Sequence, residues 1–244
     1  MTRDPSSLPP NTPPDEAVVL LVEDDPSIRE ALARLFATVG LQVRSFGSAA
    51  ELLQSELPQA PSCLVLDIRL PGRSGLDLQA ELVKAGVEIP IVFMTGHGDI
   101  PMSVRAMKAG AVDFLTKPFR DQDMLDAVAA ATRHDRQRRA EAGAMAEMRR
   151  HFESLSPRER GVMAMVTDGL MNKQVAGELG LSEITVKIHR SHVMKKMEAR
   201  SLADLVRMAD MLGIRGARPP DAKTPDPKAL ESTTPDLKTS DPKT

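Results

Sequence analysis

Short apolar runs that stop at a polar residue recur through the first half of this chain, each followed by an amphipathic stretch of helical period. V-V-L-L-V leads into Glu23 and Asp24, L-V-L into Asp67, I-V-F-M into Thr95, and D-F-L-T into Lys117. Unalternating runs of this length suit parallel strands buried on both faces. The repeated βα pattern predicts a doubly wound, five-stranded parallel sheet with strands near 18–22, 42–46, 63–67, 91–95 and 113–116. The carboxyl ends of parallel strands share one edge, so residues far apart in sequence converge there on one crevice. Three clustered carboxylates repel one another unless a cation sits among them. A hard divalent ion such as Mg²⁺ takes oxygen ligands, keeps waters and suits phosphate chemistry. With a hydroxyl and an ammonium beside it, the crevice is suited to a phosphoryl group.

The formal charge of −2 conceals an asymmetry. Residues 15–131 carry 10 Lys+Arg against 17 Asp+Glu, and residues 132–217 carry 16 against 11. An acidic half joined to a basic half is compatible with nucleic-acid binding by the second. No apolar run reaches the length of a membrane span and no signal-peptide core opens the chain, so a cytoplasmic location without membrane contact is expected. The single cysteine, Cys63, lies in an apolar strand and reads as a buried, inert thiol.

Proline-rich residues 1–15 and the repetitive tail 218–244 (T-P-D-P-K, T-P-D-L-K, T-S-D-P-K) are expected to be disordered. Between them, residues 16–131 form the α/β domain. Asp25-Pro26 is an N-cap followed by Pro at the first helical position, which leaves Glu23 and Asp24 to hold a metal. Residues 132–150 are charged, with too few regularly spaced apolar residues for a coiled coil, and read as a linker that is helical in part. Ser156-Pro157-Arg158-Glu159 is a capping box with Pro at the first helical position and opens an all-α domain of four helices over 151–217.

Within that domain, a helix from Asn172, a tight turn at Gly180-Leu181 and a helix capped by Ser182 are helix-turn-helix punctuation. On the last of these, Val186, Val193 and Met197 fall on an inward stripe, and Lys187, Ile188, Ser191 and Lys195 turn outward. Such a face enters the major groove of DNA, where Lys donates to guanine acceptors or phosphates and Ile meets thymine methyls. The bland alternative is a solvated basic face; an exposed Ile188 behind a proper turn favours DNA.

These residues together resemble a two-component response regulator of the FixJ/NarL family, a flavodoxin-like receiver followed by a LuxR-type helix-turn-helix. The blocks E-D-D-P-S-I-R, D-I-R-L-P-G-R-S-G, T-G-H-G-D-I-P-M-S-V-R-A-M-K-A-G-A-V-D-F and K-P-F match the receiver in order. L-S-P-R-E-R and M-N-K-Q-V-A-G-E-L-G-L-S-E-I-T-V-K-I-H-R match the second domain. The resemblance implies that Asp67 is the phosphoacceptor, fed by the phosphohistidine of a cognate histidine kinase. It implies Mg²⁺ on Asp24 and Asp67, on Glu23 through water and on the backbone carbonyl of Arg69. Lys117 and Thr95 would hold phosphoryl oxygens, Pro118 would follow Lys117 through a cis bond, and Phe114 would turn inward with Thr95. Base contacts would fall to Lys187, Ile188 and Ser191, and phosphate contacts to Thr185, His189, Arg190 and Lys195. The implied partners are promoter DNA, a second copy on phosphorylation, and RNA polymerase, with self-dephosphorylation the only turnover. Two positions depart from the pattern: the first acid is Glu23, where Asp is commoner, and Ser191 stands where several relatives carry Lys.

Two other readings compete. A Mg²⁺-dependent phosphohydrolase would use Asp67 as nucleophile, but such enzymes place an acid two residues later, where this chain has Arg69. A protein-binding adaptor predicts no DNA affinity under any condition.

Overall fold

The computed structural model describes residues 17–96 and 100–214. The expected disordered arm, 1–15, and tail, 218–244, lie outside the described residues. The chain divides into two compact units, Met1–Gly143 and Ala144–Thr244.

In the first unit, strands β1 (Val18–Val22), β2 (Gln42–Phe46), β3 (Ser62–Asp67), β4 (Ile91–Thr95) and β5 (Asp113–Thr116) alternate with helices α1 (Pro26–Thr38), α2 (Ala49–Gln54), α3 (Gly75–Lys84), α4 (Ile100–Lys108) and α5 (Asp121–Glu153). All strand pairs are parallel, in the order β2-β1-β3-β4-β5. This is the flavodoxin-like arrangement, in which strand order reverses between β1 and β3 and opens a crevice at their carboxyl ends. Every residue of β1, β3 and β4 is buried. The pleat sends Val18, Leu20, Val22, Leu64, Leu66 and Phe93 to one face, against Leu52, Leu78, Leu82 and Ala106. Val19, Leu21, Val65, Val92 and Met94 go to the other, against Leu32, Phe36, Met124 and Val128. Removal of each such side chain from water is worth about 1.5–3 kcal/mol, which is why these runs sit between two helical layers. Cys63 lies fully buried on the second face, and burial pushes its thiol up to about 12.

Local signals place the helix starts. Asp25 accepts from the amides of Ser27 and Ile28, with Pro26 beginning α1. Ser74 and Asp77 make a capping box for α3. The first helical residue of α3, Gly75, is there for space: a Cβ on it would lie 2.5 Å from the Asp67 carbonyl oxygen.

Helix α5 corrects the expected linker. It is continuous over 33 residues, including all of 132–150, and the division between units falls inside it. Its apolar period ends at Ala131, yet Thr132 and Asp135 are also buried in the first unit. Asp135 accepts from the Ser62 amide at 2.8 Å and from Arg139 Nε at 2.6 Å, and Arg139 donates in turn to the carbonyls of Gln59 and Pro58. A buried polar contact thus extends the domain past the point where hydrophobic patterning stops.

The second unit packs α6 (Pro157–Thr167), α7 (Asn172–Leu179), α8 (Glu183–Lys196) and α9 (Leu202–Met211) around two clusters. One joins Met163, Val193, Met197, Leu205 and Ala209, and the other Val162, Val166, Val175, Ala176 and Val186. The Ser156–Glu159 capping box starts α6. Gly180, at φ 63°, ends α7 in the left-handed region that a side chain disfavours, and Ser182 caps α8 two residues later.

Candidate functional sites

The carboxyl edge of the first unit's sheet brings together the acids that the sequence singles out. Glu23 follows β1, Asp67 ends the adjacent β3, and ligand oxygens of Glu23, Asp24 and Asp67 lie within 4.8 Å of one another. Glu23 and Asp67 are buried and Asp24 is exposed. Lys117, one residue past β5, reaches across with Nζ 2.6 Å from Glu23 Oε2 and 2.7 Å from Asp67 Oδ2. It follows a backbone bond from its N–H to the Thr95 carbonyl and precedes a cis peptide to Pro118.

The charges in the crevice act on one another. Burial raises the Glu23 carboxyl above its ordinary value, with the Asp67 charge adding to it, and the Lys117 ammonium opposes both. For Lys117, burial favours the neutral amine, but the two carboxylates outweigh it and raise its pKa. One ammonium shared by two buried carboxylates leaves the cluster, with Asp24, short of positive charge. That is a donor set for a hard cation: oxygen atoms only, converging at an open edge.

Thr95 is buried at the end of β4, beside Thr116 in the sheet register, and Phe114 is half-buried on β5 beside Phe93. The Arg69 amide donates to Asp67 Oδ1 at 2.9 Å. Two contributors were not singled out from sequence. Arg29 on α1 donates to the carbonyls of Glu23 and Asp24, at 2.7 and 3.2 Å, and ties down the acidic loop. Gly75 lets α3 approach Asp67; its signal is the second glycine of D-I-R-L-P-G-R-S-G.

In the second unit, Val186, Val193 and Met197 are buried, and Lys187, Ile188, Ser191 and Lys195 are exposed on the other side of α8. Ile188 is 50% exposed, an apolar side chain on the same outward face as Lys187 and Ser191. Thr185, His189 and Arg190 are half-buried. The Thr185 hydroxyl shares a hydrogen bond with Ser182, and Arg190 donates to Asn172 Oδ1 at 3.3 Å, linking α8 to α7. Among the described residues no helix is long and apolar enough to cross a membrane.

Known proteins share both parts. Residues 19–129 match the response regulator receiver domain family, and residues 153–209 match the luxR family of bacterial regulatory proteins. Nodulation protein W of Bradyrhizobium diazoefficiens is 65% identical over 199 residues, covering 82% of this chain and 88% of that protein. The transcriptional regulatory protein FixJ of Azorhizobium caulinodans is 42% identical over 212 residues, 87% of this chain and 99% of its own. The solved structure of the response regulator StyR, 46% identical, superposes with a TM-score of 0.74 over 80% of this chain and 98% of that one. Matched in both parts, in order and over nearly the full length of these relatives, the chain belongs to the two-component response regulators that join a receiver to a LuxR-type DNA-binding domain and act in transcription.

Proposed function

We propose that Asp67 accepts a phosphoryl group from the phosphohistidine of a partner histidine kinase, and that this modification sets how the second unit engages promoter DNA. The observation that carries the reading is Asp67 itself: a carboxylate at the end of the central β3, held by the Arg69 amide on one oxygen and by Lys117 Nζ at 2.7 Å on the other. The free lone pairs of that carboxylate attack phosphorus; a P–O bond forms as the P–N bond to the kinase imidazole breaks, and the proton stays with the imidazole. Lys117 then has a phosphoryl oxygen to hold in place of Asp67 Oδ2, and Thr95, at the neighbouring strand end, holds another. Such transfers need positioning and charge neutralisation more than acid–base help.

Glu23, Asp24 and Asp67, with the Arg69 carbonyl carried over from the family, would hold Mg²⁺. When bound, the ion would offset the charge that builds on the transferring phosphoryl group. Hydrolysis of the acyl phosphate by water returns the receiver to rest, which makes self-dephosphorylation its one turnover. On α8, Lys187, Ile188 and Ser191 read base edges, while Lys195, Thr185, His189 and Arg190 stand nearer the phosphates. Pairing of two receivers follows phosphorylation, through the side of the sheet where α4 leaves Val104 and Met107 exposed. RNA polymerase is the downstream partner, and the protein works in the cytoplasm, where the DNA is.

Labelling with a small phosphodonor in Mg²⁺ tests this reading. Wild type should take up one base-labile phosphoryl group and Asp67→Asn none, because an amide does not attack phosphorus. Equal labelling of the variant would move the acceptor elsewhere.

A further inference from the structure

Beside the outward face of α8 lies a second cluster of potential metal ligands, two of whose three members, Glu159 and His192, have no part in the DNA contacts proposed above. Glu159 sits in the first turn of α6, and His189 and His192 stand three residues apart on α8, a spacing that puts two side chains on one side of a helix. One ligand atom from each of the three lies within 4.8 Å of the other two. His192 Nδ1 is 3.5 Å from Glu159 Oε1, long for a hydrogen bond of this type, which is about 2.9 Å. Among the described residues His189 Nδ1 is buried with no hydrogen-bond partner, a costly arrangement for a ring nitrogen unless something binds it. The carboxylate is immobilised from its far side: Oε2 accepts from the Ser156 amide at 2.8 Å and from Lys196 Nζ at 2.7 Å.

We propose that Glu159, His189 and His192 form a site for a borderline transition-metal ion, zinc above all, that ties α8 to the start of α6. Two imidazoles and one carboxylate are a zinc donor set with a fourth position open to water, and imidazole is a poor ligand for Mg²⁺. The cluster therefore differs in kind from the oxygen-only cluster at the sheet edge. Bonds of about 2.0–2.1 Å in tetrahedral geometry put donor atoms roughly 3.3 Å apart. The three donors need to close by no more than about 1.5 Å from their 4.8 Å limit, and the His192 side chain, 57% exposed, is free to turn. Lys196 opposes the ion from the far side of the carboxylate, which sets the affinity below that of a closed structural zinc site. The inference does not depend on what α8 reads.

The test uses full-length protein stripped with a chelator, in an Asp24→Asn, Asp67→Asn background that removes the sheet-edge cluster from the count. Calorimetric titration with Zn²⁺ should give one equivalent, and zinc-edge X-ray absorption should give two imidazoles in the coordination shell. His192→Ala, at an exposed position outside both hydrophobic clusters, should weaken binding at least tenfold while circular dichroism and the zinc-free unfolding midpoint stay unchanged. His189→Gln should also weaken binding at least tenfold and serves as the second variant. No zinc uptake, a shell without imidazole, or equal binding by folded His192→Ala would overturn the site.

Discussion

At the scale of single residues, Glu198 holds the backbone in a conformation that a side chain resists. It follows α8 at φ 55°, the one non-glycine residue with positive φ among the described residues. A residue with a Cβ in this region carries roughly 1 kcal/mol of strain, partly offset by the extra freedom that glycine has when unfolded. Glu198→Gly is expected to stabilise the second unit by up to about 0.5 kcal/mol in urea unfolding, with no change in the slope against denaturant. The strain was not legible in the sequence, where Glu198 looks like any surface acid after a helix. Asp25, Ser156 and Ser182 are the contrary case: each cap was readable because its partner amide lies two or three residues away.

At the scale of elements, α5 and α8 each make a prediction. Burial alone would raise the Asp135 carboxyl, but Arg139, Arg138 and the Ser62 amide outweigh it and hold it below the ordinary value of 3.8. A group depressed in the folded state stabilises above its unfolded pKa and loses that contribution as pH falls. Receiver stability should therefore drop as acid titrates this carboxylate below pH 3.8. Asp135→Asn should cost about 2–4 kcal/mol at neutral pH, less than a wholly buried pair because both guanidinium groups are about a third exposed, and should flatten the acid limb of unfolding. A variant as stable as wild type would show that the helix extension past Ala131 contributes no anchoring. For α8, Lys187→Ala should lose roughly 1–3 kcal/mol on the preferred DNA site if Lys187 contacts a base, and should weaken all sequences about equally if it contacts a phosphate. Competition between specific and random DNA separates the two, and no loss in either would remove α8 as the reading helix.

At the scale of the whole molecule, the prediction concerns the switch. A shift from 1:99 to 99:1 between two states requires a differential of about 5.5 kcal/mol, which bonds of about 1.5–3 kcal/mol each reach only when two or three of them form in one state alone. The regulator should accordingly be leaky: measurable DNA binding without phosphodonor, higher affinity with it, and a sedimenting mass that rises toward a dimer only when Asp67 is modified. Unchanged mass and unchanged affinity on confirmed phosphorylation would exclude receiver pairing as the output.

What the sequence by itself determined is everything governed by neighbours along the chain. The parallel strands, the helix starts, the two-domain plan, the inward and outward faces of α8 and the convergence of Glu23, Asp24 and Asp67 follow from apolar period, capping residues and the rule that parallel strand ends share an edge. The sequence also carried Lys117 to that crevice; the tertiary structure alone decided which atoms pair across long separations. Lys117 bridges Glu23 and Asp67 over 94 and 50 residues, and Asp135 meets the Ser62 amide over 73. The cluster of Glu159 with His189 and His192 likewise exists only once α6 packs on α8. Such pairings have no local signature, because a charged side chain in sequence is compatible with solvent, and only the packed fold withdraws the solvent and supplies the partner.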